Sequence, residues 1–287
     1  MASTTTTLND LLPSIVAEAL FVASERSIMR GLVKNYNLSQ GSGKTVTVPV
    51  YPLQTAAGLT EGTDISSPTD ISTSGAQLTV AEVGIMTQVT DLAQRTSSTD
   101  VIADVGRLFG EAIARKIDTD LTGQFVNFTT NVVGTANIQA ISANITAADV
   151  FKAVAKLRSS GVNGMDIACV LHPAVAYDLK ANLTNTFANP NAGMIQNEAM
   201  LQGYVGMLAG VPVYETANLA NNGTAGDFVG GVFHRDALGL AVLNDINIEL
   251  QRDASLRATE LVATATYAAG TVYEAYGVAM SFDSTIL

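Results

Sequence analysis

The sequence predicts an α+β fold, and three patterns carry that expectation. Apolar residues recur at helical spacing from Ser98 to about Phe125. Val46, Val48 and Val50 alternate with Thr45, Thr47 and Pro49, the two-residue period of a half-buried strand. From Ile246 onward the chain reads as long alternating strands (NIELQRD, LRATELVATATY, TVYEAYGVAMSF), with Gly270 expected at the turn between the last two.

Taken in order, residues 1–7 form a Ser/Thr tail. Asp10 to about Val33 has the pattern of an amphipathic helix, capped by Asp10 and ending near Gly31. Such a helix either lies on a neighbour or packs on its own domain. The Val46–Val50 strand contains Pro49, which cannot donate to a ladder, so it belongs at an edge or in an isolated ribbon. The acidic stretch LTEGTDISSPTDIS, residues 59–72, follows. A second strand-like run, AQLTVAEVGIMTQVTD, comes next; its apolar parity changes and predicts a bulge near Ala81–Glu82. The two runs make a long hairpin, and a two-stranded ribbon is marginal without support.

Within the helix of 98–125, Val101, Val105, Leu108 and Ala112 form one stripe, widened by Ile102, Phe109, Ile113, Ile117 and Leu121. Residues 125–145 are β-like. ITAADVFKAVAKLRSSG opens on Thr146 as a cap and predicts a second helix. MDIACVLHP reads as a buried strand closed by Pro173, AVAYDLKANL as a short helix and residues 195–208 as a further helix. GVPVYE is a strand, and DFVGGVFHRDALGLAVL is strand, turn and strand.

The 287 residues suffice for one large domain or two ordinary ones. Hydrophobic residues make up 47% and charged residues 14%, so the surface is thinly charged. That suits a protein that buries itself against its own copies, and equally a large monomer. A net charge of −11 argues against tight nucleic-acid binding, which needs a basic face, and against anionic membranes. Lys152, Lys156 and Arg158 fall on one short helix and read as a solvated face. Cys169 is the single cysteine, which excludes an intrachain disulfide and a thiolate cluster. No basic leader precedes an apolar run, and Leu11–Val22 is broken by Pro13 and Glu18, so neither a signal peptide nor a membrane span is expected.

Motifs for chemistry are sparse. QGSGKT lacks the first glycine of a phosphate loop, since that position is Leu38, and Thr45 begins a strand rather than a helix. His234-Arg235-Asp236 lacks the asparagine of a kinase catalytic loop, that position being Ala241, and reads as a turn with Asp236 bonded locally. Cys169 and His172 fall on opposite faces of a strand, so Cys169 reads as a core residue. With two histidines and dispersed acids, no metal site, cofactor site or catalytic site is expected.

The order of elements, with DVFKAVAKLRSSG, IACVLHPAVAYDL, GVPV, VFHRDALGLAV, NIELQRD and YEAYGVAMS, resembles the HK97-fold major capsid proteins of tailed bacteriophages. The resemblance covers nearly the whole chain. It implies an N-terminal arm at 1–40, an extended loop at 41–92, a spine helix within a peripheral domain at 93–145 and 245–287, and an axial domain at 146–244. It also implies a non-enzymatic subunit that assembles through pentamers and hexamers into an icosahedral shell around double-stranded DNA. The implied partners are further copies of the chain, a separate scaffolding protein, a portal and possible cement proteins. The implied location is the virion, after synthesis in the bacterial cytoplasm. An encapsulin-like compartment shell around a cargo enzyme shares the fold and is the rival reading; an acidic enzyme with a hairpin lid is a third.

On this resemblance the extended loop reaches over the adjoining subunit. No lysine or arginine lies between Lys44 and Arg95. The acids Glu61, Asp64 and Asp70 are therefore expected to meet bases of a neighbour, with Arg115, Lys116, Arg252 and Arg257 as candidates. Some members of the family cross-link through a lysine near the loop tip; this loop has none, so no such bond is expected.

Overall fold

The computed structural model describes residues 27–39, 41, 43–51, 56, 58, 61–62, 74–96, 101–134, 143–162, 165–186, 207–219, 221 and 226–286. A helical turn, Met29–Leu32, leads into β1 (Lys34–Asn37), β2 (Thr45–Val50), β3 (Ser74–Thr79) and β4 (Ala81–Thr90). Two helices follow, α1 (Asp91–Thr96) and the long α2 (Val101–Thr122), which tightens into a 3-10 segment, Gly123–Asn127. After β5 (Val132–Gly134) come α3 (Ala147–Ser159), β6 (Ile167–Leu171), α4 (Pro173–Thr186), β7 (Met207–Leu208) and β8 (Val211–Glu215). The chain ends in β9 (Phe228–His234), β10 (Leu238–Asp253), β11 (Ala258–Thr271) and β12 (Gly277–Phe282).

Three sheets organise these strands. The first has the order β1-β10-β11-β4, with β1 parallel to β10 and the other pairs antiparallel. The second has the order β5-β12-β9-β6-β8-β7. The third is the hairpin β2-β3, where Pro49 sits opposite Gly75 in an isolated pair, as its missing N–H requires.

The parity change after Val80 is a change of sheet rather than the expected bulge at Ala81–Glu82. Up to Thr79 the strand pairs with β2; from Ala81 it pairs with β11, Ala81 opposite Tyr267. Val80 between them is buried, and its N–H donates to the Lys44 carbonyl at 2.9 Å, closing the root of the hairpin. The hairpin is also not bare within its own chain. Leu78 and Val80 pack with Ala241, Ala268 and Val272, and Val46, Val48 and Val50 lean on that cluster.

The long helix α2 packs across β4, β10 and β11. Its buried stripe is Val105, Phe109, Ile113, Ile117 and Leu121. Leu108, expected in the stripe, is 60% exposed, because one face of a 3.6-residue helix cannot hold both rows. The core continues through Phe125, whose ring lies 5.4 Å from Phe233 and 6.1 Å from Phe128. Gly277 runs under Phe128 so closely that a Cβ there would come within 2.4 Å of the ring.

Thr146 caps α3 as expected, and Asp149 reaches back to it: Asp149 Oδ2 accepts from the Thr146 N–H at 3.0 Å and from its hydroxyl at 2.7 Å. The basic face of α3 is less free than expected. Lys156 Nζ donates to the Val132 carbonyl at 2.6 Å and Arg158 to that of Ala209 at 3.4 Å. β6 is buried along its whole length, as its apolar run predicts.

Elsewhere the structure corrects the sequence. Lys34–Asn37, just beyond the expected helix, is a strand for which the sequence carries no expectation. Its parallel partner is β10, about two hundred residues away, which local pattern cannot reveal. Gly270 lies inside β11; the turn comes at Val272–Tyr276, and Gly270 is small because Leu78 of the hairpin packs over it, a Cβ there falling 2.5 Å from Leu78 Cδ2. NIELQRD is the second half of one 16-residue strand, β10, with register shifts between Val242 and Asn247. Met207–Leu208 is a strand and Val132–Gly134 is the described strand within the β-like 125–145. The helix expected at Asp10–Val33 up to residue 26, and the one at 195–206, lie outside the described residues.

Strand pairing crosses the linear segments 93–145, 146–244 and 245–287. β5 and β12 pair into the six-stranded sheet with β6, β8 and β9, while Leu238–Asn244 of β10 belongs to the four-stranded one. Strand partners follow hydrogen-bond register over long separations, which a linear boundary cannot express.

Candidate subunit-contact surface

Among the described residues, exposed surface includes the outward side of the hairpin, the outer face of α2 and the turn between β10 and β11. At the acidic loop, Glu61 is exposed; Asp64 and Asp70 lie outside the described residues. The candidate bases fall in two places. Arg115 and Lys116 are exposed on α2. Lys116 Nζ pairs with Asp120 four residues on, at 2.7 Å, and Asp120 also accepts from the Tyr267 hydroxyl at 2.8 Å. Arg115 makes no ion pair among the described residues.

Arg252 and Arg257 sit at the far end of the four-stranded sheet. Arg252 forms a two-pronged pair with Asp91, its nitrogens 2.5 and 2.7 Å from the two carboxylate oxygens. That hydrogen bonding holds the Asp91 carboxyl below the usual range and raises the Arg252 guanidinium. Asp253 fixes the turn that carries Arg257, accepting from Ser255 N at 2.8 Å and Leu256 N at 3.2 Å. Arg257 itself has φ 49°, a left-handed conformation unusual for a side chain. Leu92 and Leu256 are exposed beside this basic end, 72% and 54% respectively.

Sequence reasoning missed Asp118. It is fully buried on α2 and accepts from Ser27 Oγ at 2.7 Å, Met29 N at 3.2 Å and Ile28 N at 3.2 Å. It fixes the point where the N-terminal segment meets the long helix. Burial pushes its carboxyl pKa up, against these hydrogen bonds. The available signal was an acid placed between Ile117 and Leu121 on a helix face otherwise apolar.

The groups weighed for chemistry fall into structural roles. Cys169 is fully buried and its thiol is pushed up to about 12 by desolvation, so it is no nucleophile. His172 stacks on Phe228 with centroids 3.6 Å apart, and its Nδ1 accepts from the Ala174 N–H at 3.2 Å. His234 Nδ1 accepts from the Asp236 N–H at 3.2 Å, and the Asp236 carboxylate pairs with Lys34 at 3.0 Å, so the His-Arg-Asp triplet is a turn tied to β1. Gly41 and Gly43 have φ of 91° and 90°, and Thr45 opens a strand, so no helix N-terminus faces that loop. Among the described residues no cluster of His, Cys, Asp or Glu could hold a metal ion, and no helix is long and apolar enough to cross a membrane.

This combination of an extended hairpin, a long helix across a four-stranded sheet and a second mixed sheet defines an HK97-like shell-forming fold. The capsid of cyanophage P-SCSP1u superposes with a TM-score of 0.71 at 19% identity, covering 90% of this chain and 89% of that one. Mycobacterium phage Che8 gives 0.69 at 19% identity, over 88% and 90%. The holo-SrpI encapsulin complex of Synechococcus elongatus gives 0.65 at 11% identity, over 90% and 88%. The family model described as phage capsid protein matches residues 75–281, and the chain belongs to that family. No curated protein sequence matches it. The protein is a structural component of a phage capsid.

Proposed function

We propose that the chain assembles through pentamers and hexamers into an icosahedral shell that encloses double-stranded DNA, and that it has no enzymatic role. The observation that carries this is the hairpin β2-β3, an isolated two-stranded pair tied to the body at its root through Val80 N–H and the Lys44 carbonyl, with the exposed acid Glu61 in the stretch between its strands. In the ring the loop lies on the next subunit, a head-to-tail contact that closes by rotation. Glu61, Asp64 and Asp70 face bases of that neighbour. Arg115 and Arg257 lead the candidates, because Lys116 and Arg252 already carry intrachain pairs. The α2 helix with the four-stranded sheet forms the peripheral part, and the six-stranded sheet with α3 and α4 the axial part around each ring centre. Scaffolding, portal and cement proteins are the further partners this reading brings, with synthesis in the host cytoplasm.

The fold alone serves an encapsulin equally well, and the likeness to the Synechococcus shell keeps that as the second reading. Particles purified from the natural source decide between them. Packaged DNA supports the viral shell; a protein cargo without DNA supports the compartment.

A further inference from the structure

The chain has two histidines, and each caps a helical turn in the same way. His172 Nδ1 accepts from the Ala174 N–H at 3.2 Å at the start of α4. His234 Nδ1 accepts from the Asp236 N–H at 3.2 Å in the turn after β9. The two stand at opposite ends of β6 and β9, the central strands of the six-stranded sheet: His172 follows Leu171, and His234 pairs with Ile167. A ring nitrogen accepts a hydrogen bond only while it carries no proton. Both caps therefore require Nδ1 to be bare.

The two sites answer a proton differently. At His234 a carboxylate is in place: Asp236 Oδ2 lies 3.7 Å from Nδ1, and Lys34 holds the other oxygen at 3.0 Å. Arg235 adjoins the ring and donates its N–H to the Asp166 carbonyl, and Tyr276 meets the imidazole edge-on at 6.0 Å. A protonated His234 thus exchanges its cap for an ion pair. His172 has no such substitute. Its ring lies flat on Phe228, centroids 3.6 Å apart. The acids on the strands beside it are Glu215 of β8, opposite Leu171 and paired with Lys180 of α4, and the buried Asp227, which precedes Phe228. Burial alone shifts the His172 titration, and downward. A charge on this ring also meets the positive end of the α4 dipole. The Phe228 face attracts a cation, but it cannot replace the acceptor that the Ala174 N–H loses.

The helix α4 holds more than itself in place. Asp178 accepts from the Thr285 N–H at 2.9 Å and from the Thr285 hydroxyl, which ties down the segment 283–286. Asn182 Nδ2 donates to the Ile145 carbonyl at 2.7 Å, just before α3. We propose that His172 is an acid-sensitive latch: its protonation releases the first turn of α4 from the β6–β9 pair, and the segment 283–286 loosens with it, while His234 does not respond. The latch is a property of the single subunit, whether the shell encloses DNA or a protein cargo.

The test is hydrogen exchange by mass spectrometry on the full-length chain, from about pH 7.5 to about pH 5, the range in which a histidine titrates. Rates are corrected for the pH dependence of intrinsic exchange. An opening that takes up one proton grows by up to about tenfold per pH unit below the free histidine value. Peptides from α4 and from 283–286 should therefore lose about tenfold in protection, while those from β10 and β11 hold. His172→Asn caps without titrating and should keep α4 at its neutral-pH protection throughout. His234→Asn should retain the wild-type response. Constant α4 protection in the wild type, an equal fall along the whole chain, or an acid response that survives in His172→Asn overturns the proposal. Should His172→Asn not fold, the two imidazole resonances of the wild type decide by NMR. His172 must then titrate together with the α4 loss, and a loss that runs ahead of or behind its titration overturns the latch. Particle formation tests the shell reading separately.

Discussion

Ser27 donates its hydroxyl to Asp118 at 2.7 Å, across 91 residues of sequence. Two backbone N–H groups of the same segment point at the same carboxylate, which has no cation beside it among its described partners. Asp118 thus sets where the N-terminal segment leaves the long helix.

Asp118→Ala removes the acceptor of the Ser27 hydroxyl, the Ile28 and Met29 N–H groups and the Asn218 side chain. The expected loss is about 2–3 kcal/mol of subunit stability, read by thermal or chemical denaturation. An unchanged midpoint would show that the segment finds other partners.

The pH dependence has two opposed parts. Burial lowers the His172 pKa, so the unfolded chain takes up its proton first. That stabilising contribution is full above the free histidine value of 6.5 and declines as pH falls toward the folded value. Asp118 is raised, so the folded chain takes up its proton first, and stability rises as pH falls from the folded value toward 3.8. In a pH series of melting temperatures, His172→Gln should flatten the loss just below neutrality. Asp118→Asn should remove the compensating rise at the acid end.

Gly277→Ala drives a Cβ into the Phe128 ring at the join of the two sheets. The expected cost is about 1–3 kcal/mol from overpacking, measured by denaturant midpoint. Gly123→Ala, at a site with open space around it, serves as control and should be near neutral.

The loop electrostatics have a graded expectation. Asp64→Lys combined with Asp70→Lys should slow assembly at low salt and lose that effect at high salt. Arg115→Ala should weaken assembly more than Lys116→Ala, whose charge is already answered by Asp120. Equal effects would remove the basis for ranking them.

Much of the fold was legible where a residue's role is local. The cap at Thr146, the edge or isolated strand marked by Pro49 and the buried run of β6 all follow from sequence spacing. What stayed hidden depends on distant partners. Val80 changes sheets because β11 lies on one side and β2 on the other, and nothing between Thr79 and Ala81 says so. Gly270 imitates a turn glycine, yet it is small to admit Leu78 from the hairpin. At the candidate surface the charges were legible, but Arg252 is paired by Asp91, which its own segment does not contain, while Lys116 is paired by Asp120 one helical turn on. Asp118 was visible as an acid on an apolar face, and its donors from residues 27–29 were not.

The central claim is that this chain closes with copies of itself. Electron microscopy of the purified chain after size-exclusion chromatography, alone and with any candidate scaffolding protein, tests it most directly. The account predicts closed shells, or pentamers and hexamers, with the hairpin of each subunit lying on the next. A monomer that resists association across salt, concentration and added scaffold would contradict it.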